Sequence, residues 1–201
     1  MKCGNTLRTR RFGHPAWAII LAGFLMLGGC RAAAPPQGSA LSAIEVHFSP
    51  QGGCQDAVVA TLDKSARTVD MAAYSFTNKK IAHALAAAKN RGGAVRLVSD
   101  QGEFALTDDV REILKEAGID PQVKSTTGRM HNKYLVIDRE VLVTGSYNFT
   151  ARAEWENFEN LLVLRDPELA QRYEKNFERL WALPNGTQQA PDPSRVGGKG
   201  R

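Results

Sequence analysis

The chain has 201 residues, 43% of them hydrophobic, a length that suits one domain with a sizeable core. Its net charge is +5, but four basic residues and no acidic residue precede position 30. The 22 basic and 21 acidic residues that follow nearly cancel, so bulk charge does not argue for a nucleic-acid partner. Only Cys54 lies beyond Cys30, which excludes a disulfide framework or a cysteine-rich zinc site in that part.

The N-terminus has the pattern of a secretory signal. A positive stretch is followed by an apolar run, Trp17–Leu27, and by two glycines before Cys30. Eleven residues are too few for a transmembrane helix, which needs about 20. Leu27-Gly28-Gly29-Cys30 also resembles the bacterial lipobox, whose cysteine is lipidated and becomes the mature N-terminus; the alternative is an ordinary signal with an incidental cysteine.

We therefore expect four regions along the chain. Residues 1–29 form a lipoprotein-type signal, and residues 30–43, rich in Ala, Pro, Gly and Ser, form a flexible tether. Residues 44–183 form the catalytic domain, and residues 184–201 form a disordered tail. The protein is then exported to the periplasmic side of a bacterial membrane and held there by a lipid on Cys30.

Between Ile44 and Leu183 short apolar runs alternate with amphipathic segments. The predicted strands are Ile44–Phe48, Thr68–Ala73, Ala94–Ser99, Pro121–Lys124, Tyr134–Ile137, Val141–Thr144 and Asn160–Leu164. The predicted helices are Gln55–Ser65, Asn78–Asn90, Asp108–Ala117 and Pro167–Leu183. This order predicts an α/β domain in which a mixed β-sheet is sandwiched between helices.

Two segments of the second half carry chemistry. If a strand begins near His131, alternation places His131 and Lys133 on the same face. After the hairpin, Gly145 allows a tight turn, and Ser146 and Asn148 add small polar side chains. A lysine and an amide can hold phosphate oxygens, and histidine can attack phosphorus or protonate a leaving oxygen.

A nucleophilic histidine needs an acceptor for its other ring nitrogen, and Glu154 is the candidate. Asp138 lies seven positions from His131, at the far end of the strand, which favours a turn or network role over a base. Taken singly, each of these residues could be structural or an ordinary solvated side chain. Their combination indicates phosphoryl transfer.

His131-x-Lys133-x4-Asp138, followed by Gly145-Ser146-x-Asn148, resembles the HKD signature of the phospholipase D superfamily. Met71–Thr77, Gly145–Thr150 and Glu159-Asn160 are similar to the small bacterial Nuc-type endonucleases. The resemblance implies a phospholipase D/nuclease-like fold and a metal-independent reaction without a cofactor.

The resemblance also implies residue roles. His131 is the nucleophile that forms a phosphohistidine, and Lys133 and Asn148 bind the phosphate. Glu154 is the acceptor for the histidine, Asp138 stabilises the framework, and Ser146 supports the phosphate pocket. No clustered His, Cys or carboxylates in the sequence resemble a metal set.

Larger members of the superfamily carry two such motifs, one histidine attacking and the other acting as acid. This chain has one, since neither His47 nor His83 is followed by the same pattern. We therefore expect a twofold homodimer with a composite site that holds both copies of His131.

Three functions stay open on the sequence. A nonspecific nuclease of DNA or RNA is favoured, with a groove that could be lined by basic residues: Lys79, Lys80, Lys89, Arg91, Lys124, Arg129 and Arg152. A phospholipase D acting on head groups suits a lipid-anchored protein. A catalytically silent nucleic-acid or lipid-binding module is disfavoured by the intact motif.

Overall fold

The computed structural model describes residues 44–102, 105–124 and 128–186. Its strands are β1 (Ile44–Ser49), β2 (Thr68–Ala73), β3 (Ala94–Asp100), β4 (Gln122–Lys124), β5 (Lys133–Ile137), β6 (Val141–Gly145) and β7 (Glu159–Arg165). Its helices are α1 (Cys54–Asp63), α2 (Lys79–Asn90), α3 (Asp108–Glu116), α4 (Ala151–Trp155) and α5 (Pro167–Trp181). The predicted signal, Cys30, the tether and residues 187–201 of the predicted tail lie outside the described residues.

The seven strands form one mixed sheet in the order β1-β7-β6-β5-β2-β3-β4. Strands β2, β3 and β4 run parallel and are connected through α2 and α3, as parallel neighbours require. Strands β5, β6, β7 and β1 continue the sheet in antiparallel pairs. The predicted mixed α/β sheet is thereby confirmed.

Two apolar clusters cover the two faces of the sheet. The larger one joins the sheet to α1, α2 and α3 and includes Leu62, Leu85, Leu114 and Leu135. The smaller one lies under α5 and includes Phe177 with Tyr134. Side chains that alternate along β5 after Lys133 supply both clusters, which is why residues 134–137 are all apolar or aromatic.

Local sequence sets the helix boundaries. The Asn78 side chain caps α2 by accepting from the backbone N–H groups of Lys80 and Ile81. Asp166 caps α5 in the same way, with Pro167 in its first turn. Helix α4 has only five residues, too few for a periodic apolar pattern, and it was not predicted.

The C-terminal part of the described chain is held against the sheet edge. The buried Lys124 ammonium donates to the carbonyls of Trp181 and Leu183 and to Asn185 Oδ1. The backbone N–H of Gly186 donates to the Val123 carbonyl. Residues 184–186, the first of the predicted tail, therefore pack on the domain.

The helices that the structure describes between positions 44 and 186 include none with the length and apolar character needed to cross a bilayer.

Candidate active site

The strand directions bring four of the predicted site residues to one end of the sheet: His131, Lys133, Ser146 and Asn148. Ala73, the last residue of β2, pairs with Lys133, the first residue of β5. Gly145 ends β6 and pairs with Leu161, near the start of β7. The segments before β5, after β2, after β6 and before β7 therefore meet at this end, which we call the site end.

His131 and Lys133 are in direct contact. The Lys133 Nζ atom lies 3.2 Å from Nδ1 and 3.5 Å from Nε2 of His131, and it donates to the His131 carbonyl at 2.9 Å. The predicted shared face of these two side chains is confirmed. A neutral ring nitrogen can accept this hydrogen bond, whereas an imidazolium cannot.

Tyr74 completes this contact from the end of β2. Its ring centroid lies 4.2 Å from that of His131, and the Lys133 ammonium lies 4.8 Å from the Tyr74 ring centroid. The Tyr74 backbone N–H also donates to the Asn132 carbonyl at 2.9 Å. The imidazole, the ammonium and the aromatic ring therefore contact one another, while His131 as a whole stays exposed.

Lys133 is buried, with 9% of its surface exposed. Burial lowers the pKa of its ammonium, and the negative charge of Glu159 opposes that shift. A buried cation with few counter-charges is suited to an anionic ligand such as a phosphate.

The carboxylate at the site end is Glu159, the first residue of β7. Its Oε2 accepts from the Ser146 hydroxyl at 2.6 Å, and its Oε1 accepts from Asn157 Nδ2 at 3.1 Å. Ser146 Oγ in turn accepts from the Asn160 backbone N–H at 3.1 Å. Ser146 thus lies at the site end as predicted and is bonded to Glu159 and Asn160.

The predicted partnership of Glu154 with His131 is wrong for the single chain. Glu154 lies on α4 with its side chain turned into the core, where it accepts from the Gln55 backbone N–H at 2.8 Å and the Tyr147 hydroxyl at 3.1 Å. It therefore holds the start of α1 against α4. No hydrogen bond joins it to His131 within the described ranges.

Gly145 is required for a different reason from the one predicted. It is the last residue of β6 and forms no tight turn. A Cβ atom there would lie 2.1 Å from the Asn160 carbonyl oxygen, so only glycine lets β6 approach β7 this closely. That approach brings Ser146 to Glu159.

Asn148 follows on the same loop, and its neighbour Phe149 anchors it to the chain after β2. Phe149 pairs with Phe76, and the Phe149 carbonyl accepts from the backbone N–H groups of Thr77 and Asn78. Asn148 is half-buried, and its Oδ1 atom is buried without a hydrogen-bond partner. Because the two ends of an amide can be exchanged by rotation, this side chain can present its N–H₂ group to a ligand.

Asp138 lies at the opposite end of β5, as predicted. Its carboxylate accepts from the backbone N–H groups of Ala66, Arg67 and Thr68 at 2.7–2.8 Å. Burial opposes ionisation, but these three hydrogen bonds prevail and lower the Asp138 pKa. The residue ties the hairpin turn to the start of β2.

The predicted basic groove is mostly engaged within the chain. Lys79, Lys80 and Arg152 form ion pairs with Asp109, Asp56 and Glu156. Arg91 donates to the carbonyls of Leu62 and Ser65 at the end of α1, and Lys124 is buried. Arg129 pairs with Asp100 but keeps 56% of its side chain exposed. Six of the seven predicted groove cations are therefore ion-paired, hydrogen-bonded within the chain or buried.

Two further groups lie apart from this chemistry. Burial raises the pKa of the Cys54 thiol to about 11, so its reactive thiolate is scarce at neutral pH. Asp70, Glu174 and Glu178 come close enough to hold a cation, but the Arg96 guanidinium bonds to both Asp70 and Glu178. These carboxylates are part of the packing of α5.

Comparisons with known proteins agree with this fold. Residues 58–181 match the family model described as "Cardiolipin synthase, PLD-like domain". Phospholipase D of Rickettsia conorii is 34% identical over 136 residues, 68% of each chain. The human mitochondrial cardiolipin hydrolase is 32% identical over 144 residues, 66% of this chain and 57% of the relative.

Among solved structures, NUC from Salmonella typhimurium, a phospholipase D family member, aligns with a TM-score of 0.65 at 30% identity. The alignment covers 72% of this chain and 97% of NUC. The sheet places a histidine and a lysine in contact at one end, an arrangement that suits phosphoryl transfer. This chain belongs to the phospholipase D superfamily and is a hydrolytic phosphodiesterase of that superfamily.

Proposed function

We propose that this protein is a metal-independent endonuclease of low sequence specificity that cleaves DNA or RNA through a covalent phosphohistidine on His131. The observation that carries the proposal is the contact between His131 and Lys133, 3.2 Å apart at Nδ1 and Nζ. Together they supply a nucleophile and a positive charge within reach of one phosphate. In this proposal His131 and Lys133 act on the phosphate, which carries no sequence information, and hence the low specificity.

The first step forms a bond between a His131 ring nitrogen and phosphorus as the bond from phosphorus to the leaving oxygen breaks. The leaving oxygen takes a proton from a second histidine. Water then attacks phosphorus, gives its proton to that second histidine, and releases His131. Lys133 and Asn148 hold the phosphoryl oxygens, and Glu159, through Ser146, fixes the loop that carries Asn148.

The second histidine is proposed to be the partner's His131 in a twofold homodimer. Exposed apolar side chains support this. Val46 and Phe48 lie on β1, and Phe158, which is 91% exposed, precedes Glu159. In the β1–β7 ladder Val46 is opposite Leu162 and Phe48 is opposite Asn160, so both lie on the sheet face that α5 covers in part. An apolar surface of this kind beside the site end suits a second copy.

A phospholipid is the second candidate substrate. Four of the seven predicted groove cations form ion pairs, which leaves fewer free positive charges to follow a nucleic-acid backbone. A single head-group phosphate needs only Lys133 and Asn148. The relatives named phospholipase D and cardiolipin hydrolase add to this alternative. A silent binding module is the remaining alternative.

Export and anchoring are proposed from the sequence pattern alone. The signal over residues 1–29 directs the chain to the periplasmic side of a bacterial membrane, and a lipid on Cys30 holds it there. Mass spectrometry of the mature protein tests both parts. An N-terminal Cys30 that carries a diacylglyceryl group supports export and anchoring, and an unmodified mature N-terminus contradicts the anchor. A chain that retains residues 1–29 contradicts export.

The activity test compares plasmid DNA, single-stranded DNA, RNA and phosphatidylcholine vesicles in EDTA, with His131→Ala as the blank. Nucleic-acid cleavage that resists EDTA and needs His131 supports the endonuclease. Choline release with intact nucleic acid supports the phospholipase instead. Inactivity on all four substrates contradicts both and favours the binding module.

A further inference from the structure

A buried carboxylate lies at the end of β3, next to the segment that carries His131. Asp100 is the last residue of that strand and is only 1% exposed. It belongs to neither the sequence motif nor the group of side chains that meets His131. Carboxylates this deeply buried are uncommon unless several donors satisfy them.

Three donors converge on this carboxylate. The Met130 backbone N–H donates to Oδ1 at 2.8 Å, the Gly102 backbone N–H donates to Oδ2 at 2.9 Å, and Arg129 Nη1 donates to Oδ2 at 3.2 Å. Two of these donors belong to the residues that immediately precede His131. Asp100 therefore connects β3 directly to the approach to the nucleophile.

His131 depends on such connections because it precedes the regular strand, which begins at Lys133. On its C-terminal side, the Asn132 carbonyl is held by the Tyr74 backbone N–H at 2.9 Å. On its N-terminal side, the Met130 backbone is held by Asp100 and the Met130 side chain is buried under α5. The backbone of His131 is thus fixed on both flanks while its ring stays exposed.

We propose that Asp100 is a positioning residue for the nucleophile: through the Met130 N–H it holds the His131 backbone so that the imidazole meets Lys133. The proposal rests on the proposed role of His131. An ionised carboxylate can accept all three hydrogen bonds, whereas the amide of an asparagine has one acceptor atom and must turn its N–H₂ group towards a donor. Small displacements of a nucleophile reduce the reaction rate far more than they weaken substrate binding.

The kinetic test compares Asp100→Asn with Asp70→Asn. Asp70 is the matched control because it is also a buried carboxylate bound by an arginine, but it lies in mid-strand and touches no part of the site. At a temperature at which both variants are folded, Asp100→Asn is expected to lower kcat about tenfold or more and to change KM less than about twofold. A kcat loss no larger than that of Asp70→Asn overturns the proposal.

Arg129→Met separates the two contacts of Asp100. It removes the guanidinium but keeps the Met130 hydrogen bond, so kcat at saturating substrate should fall less than about threefold. Any contact of Arg129 with a nucleic acid would be seen in KM and not in this comparison of kcat values. A fall as large as that of Asp100→Asn would show that the ion pair is what matters, and would overturn positioning through Met130.

Hydrogen exchange tests the proposal without activity. In the wild-type protein the Met130 amide should exchange as slowly as the amides of β5. In Asp100→Ala, which leaves this N–H without its side-chain acceptor, it should exchange at least about tenfold faster. Rapid exchange in the wild type, or equal exchange in the variant, overturns the proposal. If the wild type cleaves none of the four substrates, the proposed function fails, whereas these exchange rates still decide on the Asp100–Met130 link.

Discussion

The Lys133 ammonium lies 3.2 Å from Nδ1 of His131 and donates to the carbonyl of the same residue at 2.9 Å. One side chain therefore fixes both the ring and the backbone of the proposed nucleophile. Its remaining donor capacity can go to a phosphate. Loss of the Lys133 charge should accordingly affect both phosphate binding and the geometry of His131.

Lys133→Arg tests the pH dependence of that charge. Burial lowers the Lys133 pKa, so in the free enzyme the ammonium is lost as pH rises through a value below the usual lysine range. The kcat/KM of the wild type should therefore fall on the alkaline side. The planar guanidinium has a different shape from the ammonium, so the variant should be about tenfold less active. Because arginine keeps its charge, the alkaline decline of the variant should move to higher pH. Identical alkaline limbs would contradict a catalytic Lys133 cation.

Glu159→Gln and Glu154→Gln form a matched pair that tests which carboxylate serves the site. Glu159 is bonded to Ser146 and acts on the Lys133 charge, so its variant should lose about tenfold or more in kcat. Glu154 accepts from Gln55 and Tyr147 in the core, so its variant should lose about 1–3 kcal/mol of unfolding free energy. Its kcat per folded molecule should change less than about threefold.

Kinetics at saturating substrate and urea unfolding of both variants decide between the two roles. A large kcat loss for Glu154→Gln with normal stability would restore the pairing predicted from the sequence.

The distinction between these glutamates shows where sequence reasoning stopped. Alternation continued two residues ahead of β5 was enough to place His131 and Lys133 together, because that relation is local. Choosing Glu159 needed the pairing of β6 with β7, in which Gly145 is opposite Leu161. The close approach of Gly145 to Asn160 is a contact between strands that no spacing within one segment reveals.

Tyr74 and Asp100 were missed for the same reason. Tyr74 follows β2 and Asp100 ends β3. Both residues come close to the His131 segment only because the sheet order is β5-β2-β3. The strands and four long helices were predictable, since periodic apolar patterns marked them. Helix α4 turns the Glu154 side chain into the core. Its five residues are too few to show a helical pattern of apolar residues, so the sequence did not indicate this orientation.

Asp138→Ala should mainly lower stability. Three backbone N–H groups lose their acceptor, which should reduce the unfolding free energy by about 1–3 kcal/mol at neutral pH. Because folding lowers the Asp138 pKa, this stabilisation is present above the unfolded aspartate pKa and is lost as pH falls through the folded value. The difference between wild type and variant should therefore shrink in acid.

Urea unfolding at neutral and acidic pH measures this difference, with Asp120→Ala as an exposed control. Wild-type stability for Asp138→Ala at neutral pH would remove the framework role.

Phe158→Asp should separate the proposed dimer. An exposed phenylalanine beside Glu159 suits a buried position between two copies, and a carboxylate there would be desolvated without a partner. Sedimentation equilibrium should show a dimeric wild type, a monomeric Phe158→Asp variant, and loss of activity with dissociation. Lys115→Asp on α3, beyond the opposite face of the sheet, should stay dimeric and active. A strictly monomeric and fully active wild type would contradict the composite site.

The most direct test of the central claim is to trap the covalent intermediate. The protein is mixed with a labelled single-stranded oligonucleotide, quenched within the first turnover, and mapped by mass spectrometry under conditions that preserve phosphohistidine. We predict a phosphoryl adduct on His131 that retains one product fragment and is absent from His131→Ala. An adduct on another residue, or a burst of cleavage with no adduct on His131, would contradict the proposed mechanism.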